Sequence, residues 1–135
     1  MRRTVRAVGS ASAEKVWERY VETACWPVWA PQIRTVEAAE ARLRAGMRGR
    51  VVPVVGPRVD FLVEAVDHEA RTWCWRVRVG PVRMRLWHAV RDRAASGAET
   101  ELRIEGPAAV VVVYAPLARL ALRRLVSPGN GERSC

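Results

Sequence analysis

The feature that most constrains this chain is a two-residue alternation across residues 71–90, RTWCWRVRVGPVRMRLWHAV, broken only at Gly80-Pro81. Trp73, Trp75, Val77 and Val79 fall on one face, with Cys74, Arg76 and Arg78 on the other. After the Gly-Pro pair, Val82, Met84, Leu86, His88 and Val90 alternate with Arg83, Arg85, Trp87 and Arg91. Successive side chains of a strand point to opposite faces, so the pattern predicts two half-buried strands joined by a tight turn. One face of this hairpin is apolar and the other is dense in arginine. His88 is the polar exception on the apolar face, which directs attention to the space that face encloses.

The rest of the chain is long enough to give the hairpin a core. With 135 residues, 50% of them hydrophobic, it is expected to form one domain over 1–135 and to bury roughly 70% of its unfolded surface. The net charge of +9 is carried almost wholly by arginine, Lys15 being the sole lysine. A basic balance raises nucleic acid and anionic membranes as partners. Arginine spread along every strand and interleaved with glutamate reads instead as a solvated face, so no nucleic-acid partner is expected. Cys25, Cys74 and Cys135 show no CxxC spacing; they predict neither a zinc site nor a disulfide framework and fit a reducing cytoplasm. No apolar run follows Met-Arg-Arg, and the run near Val110 is short and contains Pro116. Neither a signal peptide nor stable membrane insertion is expected, and the expected location is cytoplasmic.

In chain order, 4–8 reads as a short strand, and the serines of Gly9-Ser10-Ala11-Ser12 can cap a helix from about Ala13. Along that helix Val16, Trp17, Tyr20 and Val21 recur at helical spacing, with Glu14, Lys15, Glu18 and Arg19 opposite. Residues 24–31, ACWPVWAP, hold two prolines and form a compact turn. Its Trp26 and Trp29 are either a core plug or one wall of a ligand cavity. Strands are expected over 33–40, 47–55 and 59–65, with Pro53 marking an edge or a bulge. In the last of these Val59, Phe61, Val63 and Ala65 face inward, while Asp60 and Glu64 sit across from Arg76 and Arg78. Residues 93–98 read as a loop and 99–106 as a final strand, with Thr100, Leu102 and Ile104 inward. From 108 to 126 a helix, kinked or started at Pro116, presents Leu117, Leu120, Ala121 and Leu125 on one face; a strand at 110–113 is the rival reading. Residues from about 128 to 135 are expected to be a disordered tail.

Runs of strands followed by a helix imply an antiparallel sheet with helices on one face. The expected class is α+β, with a curved antiparallel sheet of about seven strands wrapped around a C-terminal helix, and short N-terminal helices. The stretches SAEKVWERYV, WPVWAP, LRAGMR, the strand ending WHAV, and TELRIEGP before the last helix occur in that order over nearly the whole chain. By these stretches the sequence resembles the polyketide cyclase/dehydrase branch of the START-like, or SRPBCC, superfamily, with its Bet v 1-like helix-grip fold. The resemblance implies a hydrophobic, carbonyl-bearing, polyketide-like small molecule as partner, held between the sheet and the C-terminal helix. It implies either cyclisation, dehydration or aromatisation of that molecule, without metal or organic cofactor, or binding and carriage of it unaltered. A homodimer is compatible with either.

Candidate catalytic residues are His88, whose imidazole titrates near neutral pH unaided, and Tyr20 and Tyr114, whose hydroxyls can donate to a carbonyl or enolate oxygen. The ordinary alternatives stay open: a core histidine bonded to a backbone carbonyl, and core tyrosines with hydroxyls at the rim. Candidate ligand-binding residues are Trp26, Trp29, Phe61, Val63, Trp73, Trp75, Val77, Met84, Leu86, Leu102, Val113 and Leu117, all of which would also serve as plain core. His68, in a turn, is expected in solvent. No Ser-His-Asp pattern, nucleophile elbow, phosphate loop or metal-ligand cluster is present. A cavity poor in acid-base groups suits a protein that folds a reactive chain and excludes water, or one that only binds.

Overall fold

The computed structural model describes residues 1–94, 97–128 and 135. Seven strands, β1 (Arg2–Gly9), β2 (Ile33–Ala38), β3 (Arg48–Pro53), β4 (Val59–Asp67), β5 (Thr72–Val79), β6 (Val82–Asp92) and β7 (Ala98–Glu105), form one antiparallel sheet in the order β1-β7-β6-β5-β4-β3-β2. The helices are α1 (Ala13–Val21), a short α2 (Trp26–Trp29) entered through a 3-10 turn at Thr23–Cys25, and α3 (Ala108–Leu125). This is the helix-grip arrangement that the sequence implies.

The hairpin β5–β6 has the parity that its alternation predicts. Trp73 pairs with His88 and Trp75 with Leu86, and all four side chains are buried. On the outer face Arg76 lies opposite Arg85 and Arg78 opposite Arg83, an arrangement unfavourable by itself. Carboxylates of β4 offset it. Glu64 meets Arg76 at 2.7 Å and Arg85 at 3.0 Å, and Asp60 lies between Arg50 at 3.1 Å and Arg78 at 3.7 Å. Exposed pairs of this kind contribute under about 1 kcal/mol each, so they set register more than stability.

Two strands depart from simple alternation. In β4 the register shifts between Val63 and Ala65; the extra residue turns Ala65 out to solvent and lets Val66 pack against the core. Pro53 ends β3 inside the sheet rather than on an edge, opposite Ile33, where β2 slips register before Thr35. The bulge alternative is the one realised.

In α1 the Ser12 hydroxyl accepts from the Lys15 N–H at 3.1 Å, capping the helix. Val16, Trp17, Tyr20 and Val21 are buried as expected. Arg19 is not on the solvent side: it is 2% exposed. Its guanidinium donates to main-chain oxygens of Leu125 and Ser127, each at 2.6 Å, and of Cys135 at 2.5 Å. These groups lie at the negative end of the α3 dipole, where a cation is favoured.

α3 is one helix with Pro116 inside it, which removes the strand alternative at 110–113. Pro116 and Val112, the residue whose carbonyl loses its i+4 donor, are both on the solvent side. The inward face is Val111, Ala115, Ala118, Ala121, Leu122 and Leu125. Val113, at 77% exposed, and Leu117, at 38%, therefore point away from the sheet, and so does Leu120. An alanine stripe lets the helix approach closely; at its C-terminal end the Ala11 N–H donates to Val126 O at 3.0 Å, and a Cβ on Gly9 would lie 2.2 Å from that same oxygen.

Cys25 and Cys135 form a disulfide, contrary to the expectation of unpaired thiols, and Cys74 is free. The bond ties residue 135 to the turn that opens α2. Of the tail expected to be disordered, residues 129–134 lie outside the described residues, as do 95 and 96 of the loop before β7. No helix among the described residues is long and apolar enough to cross a membrane.

Candidate ligand-binding site

The interior between β5–β6, α2 and α3 is an aromatic cluster. Trp73 and His88, directly opposite on neighbouring strands, stack at 3.9 Å with an 8° interplanar angle. Tyr20 of α1 stands edge-on to His88 at 5.2 Å, to Trp29 at 5.4 Å and to Trp73 at 5.6 Å. Trp75 contacts Trp26 and Phe61, each at 5.2 Å. Trp26 and Trp29 hold their places because their indole N–H groups donate to Tyr20 O at 2.8 Å and Arg19 O at 3.1 Å. Those carbonyls belong to the last turn of α1 and have no acceptor role within the helix. The wall thus depends on the helix before it.

Two neighbouring spaces lie beside this cluster. An inner cavity of about 40 Å³ is walled by Tyr20, Trp26, Trp29, Trp73, Trp75, His88, Leu102, Tyr114 and the α3 residues Ala118, Ala121 and Leu122. An outer apolar groove of about 320 Å³ runs between the sheet and the N-terminal half of α3, along Val51, Val59, Val77, Met84, Leu86 and Val110. Gln32, Ile33, Trp75 and Tyr114 belong to both and form the partition. The groove is large enough to bury a small apolar molecule; the cavity has room for one functional group.

Of the residues nominated from the sequence, Tyr20, Tyr114, His88, Trp26, Trp29, Trp73, Trp75 and Leu102 line the cavity, and Val77, Met84 and Leu86 line the groove. Phe61 and Val63 are core residues that line neither space. Val113 and Leu117 are outside it altogether, because the inward face of α3 is set by its small residues. Gln32, Ile33, Val51, Val59, Ala118, Ala121 and Leu122 line the spaces without having been nominated as ligand contacts. For α3 the signal was present: Val111, Ala115, Ala118, Leu122 and Leu125 recur at steps of four and three. Gln32 carries no pattern that singles it out. His68 is exposed as expected, and its Nδ1 accepts from the Trp17 indole at 3.2 Å.

The polar chemistry of the cavity is sparse. Burial lowers the His88 pKa from 6.5 to about 3, a fall only partly opposed by the Trp73 carbonyl, 3.4 Å from Nδ1. The imidazole is therefore neutral at physiological pH, and its conjugate acid is too strong for efficient general acid-base catalysis there. The Tyr20 hydroxyl is paired with Thr100 Oγ1 at 3.1 Å, which itself donates to Ala89 O at 3.1 Å, and burial raises its pKa. Burial also raises that of Tyr114, against the opposing effect of the Gln32 amide. The geometry suits orientation and water exclusion better than proton transfer.

Solved structures share this architecture. The di-domain ARO/CYC BexL from the BE-7585A biosynthetic pathway superposes with a TM-score of 0.79 at 20% identity, over 93% of this chain and 45% of that one. This chain therefore spans less than half of BexL. Ara h 8.0201 gives 0.74 at 13% identity over 93% and 94% of the two chains, and XoxI from Bacillus cereus gives 0.78 at 14% over 93% and 92%. No family model matches the chain, and no curated protein matches it by sequence. The chain has the Bet v 1-like helix-grip fold.

Proposed function

We propose that the chain binds a hydrophobic, carbonyl-bearing small molecule between the sheet and α3. The observation that carries this reading is the apolar groove of about 320 Å³, which shares Gln32, Ile33, Trp75 and Tyr114 with a cavity walled by aromatic rings. Its test is saturable quenching of tryptophan fluorescence by 2-acetylnaphthalene, with one molecule bound per chain. Val59→Trp, which fills the groove wall, is expected to weaken binding at least about tenfold, ~1.4 kcal/mol. Unsaturable quenching, or a variant that binds as well as wild type, removes the reading.

A second reading extends the first: the bound molecule is cyclised because the groove holds it folded. The likeness to the ARO/CYC BexL favours it. Restriction of a flexible chain supplies rate without a strong base, which fits the neutral His88. A linear poly-β-ketone thioester incubated with the protein should then form ring products faster than in buffer, and His88→Gln should keep most of that acceleration. Recovery of the linear chain at the buffer rate leaves binding and carriage as the function.

A further inference from the structure

We propose, resting on the ligand-binding reading above, that the inner cavity recognises a neutral carbonyl oxygen through the indole N–H groups of Trp73 and Trp75, and discriminates against carboxylates. Trp26 and Trp29 spend their indole N–H groups on helix carbonyls. Trp73 Nε1 and Trp75 Nε1, on residues only 3% and 8% exposed, have no hydrogen-bond partner among the described residues. Gln32 Oε1, on the partition, is a buried acceptor without a donor. Buried polar groups are almost always paired, and leaving one unpaired is costly. The neighbouring aromatic faces are second-order acceptors beside an oxygen. Two orphan donors on rings 5.1 Å apart, in the wall of one cavity, are the chemical complement of an acceptor.

The charge of that acceptor follows from what surrounds it. Among the described residues, no acidic or basic side chain lines the cavity or the groove apart from His88, which is neutral at physiological pH. An anion placed there gives up its hydration with no cation in return, whereas a ketone gives up little. The ligand class is thus a mainly apolar, neutral molecule whose carbonyl enters the cavity while its body lies in the groove. A hydroxyl near the partition would find the Gln32 oxygen. Neither indole nitrogen is in contact with solvent, so the ketone reaches them only as the rings shift, and tryptophan emission reports its arrival.

The test compares 2-acetylnaphthalene, naphthalene and 2-naphthoate at pH 7. The ketone is expected to bind about five- to tenfold more tightly than naphthalene, as one or two hydrogen bonds allow, and at least about tenfold more tightly than the carboxylate. Trp73→Phe and Trp75→Phe keep an aromatic ring and delete the N–H. Each should lower the ketone-to-naphthalene affinity ratio, and the double variant should bring it close to one. Because the ratio is internal to each variant, partial loss of folded protein does not alter it. A carboxylate that binds as well as the ketone, or a ratio untouched by both substitutions, overturns the proposal alone, while groove binding of naphthalene stands. Failure of all three probes to bind wild type overturns the ligand-binding reading with it.

Discussion

Between pH 6.5 and 4.5 the wild-type protein is expected to lose about 2–3 kcal/mol of folding stability, and His88→Phe should abolish most of that loss. The sign follows from the two pKa values of one imidazole. In the fold it is about 3, because burial opposes the charged form; in the unfolded chain it is near 6.5. The unfolded state therefore binds more protons through this interval, so stability is complete above pH 6.5 and falls as the pH drops toward 3, by at most about 1.4 kcal/mol per pH unit. The paired carboxylates work in the same direction but at lower pH. Glu64 and Glu101 have their pKa raised by desolvation, but the arginines beside them outweigh this and hold it below 4.5, so what they contribute is lost only as the pH falls below about 4.5. The pKa values of Glu18 and Glu105 are lowered likewise by their arginine partners, and at pH 5 and above the histidine therefore dominates the slope. Urea unfolding at pH 7, 6 and 5 measures the slope in each protein. Phenylalanine can stack on Trp73 in place of imidazole, and an unchanged slope in that variant would show that His88 titrates in the fold near its ordinary value.

The same histidine shows how far a sequence of this kind can be read. Alternation along β5 and β6 placed His88, Trp73 and Trp75 on the inner face, because strand parity is local and a two-residue period leaves little freedom. It could not report that Trp73 stacks on His88 or that the pair is sealed from water; those depend on β6 lying beside β5 in one register, with α1 and α3 closing over them. Parity also fails wherever one residue is inserted, which is why Ala65 is outside and Val66 inside. In α3 the large leucines drew the face toward Leu117 and Leu120, whereas proximity to the sheet selects for small side chains. Ala115, Ala118 and Ala121 are buried there, together with Val111, Leu122 and Leu125. Gln32 was invisible for a different reason. A single glutamine after a proline has no periodicity, and only the converging walls give it a place. Arg19 sat on a helix face with Glu18 and Lys15 near it, and nothing in the sequence marks a guanidinium that will be drawn inside by carbonyls more than a hundred residues away.

Those carbonyls lead to the second prediction: Arg19→Met should destabilise the fold by about 2–4 kcal/mol. The guanidinium is buried, and its partners are main-chain oxygens: those of Leu125 and Ser127 at the end of α3, and that of Cys135. Removing it leaves the buried Leu125 oxygen and the partly buried Ser127 oxygen without this donor, a cost of about 1–3 kcal/mol for each oxygen that finds no water. Cys25→Ser acts on the same segment from the other side. The disulfide joins cysteines at a sequence separation of 110, and loss of such a constraint costs ~2–4 kcal/mol, with about 4–5 as the chain-entropy limit. Because Arg19 also donates to residue 135, the two substitutions share a partner. The double variant should lose measurably less or more than the separate losses added, by at least about 0.5 kcal/mol. Equilibrium unfolding of the four proteins gives that coupling, and wild type with reductant should behave as Cys25→Ser. A functional consequence follows from the geometry: Trp29 is held by Arg19 O, Trp26 by Tyr20 O, and Cys25 immediately precedes Trp26. Loosening this junction frees the wall of the cavity, so both variants, while still folded, should bind 2-acetylnaphthalene more weakly. Full affinity in a folded but destabilised Arg19→Met protein would show that the aromatic wall stands without the clamp behind it.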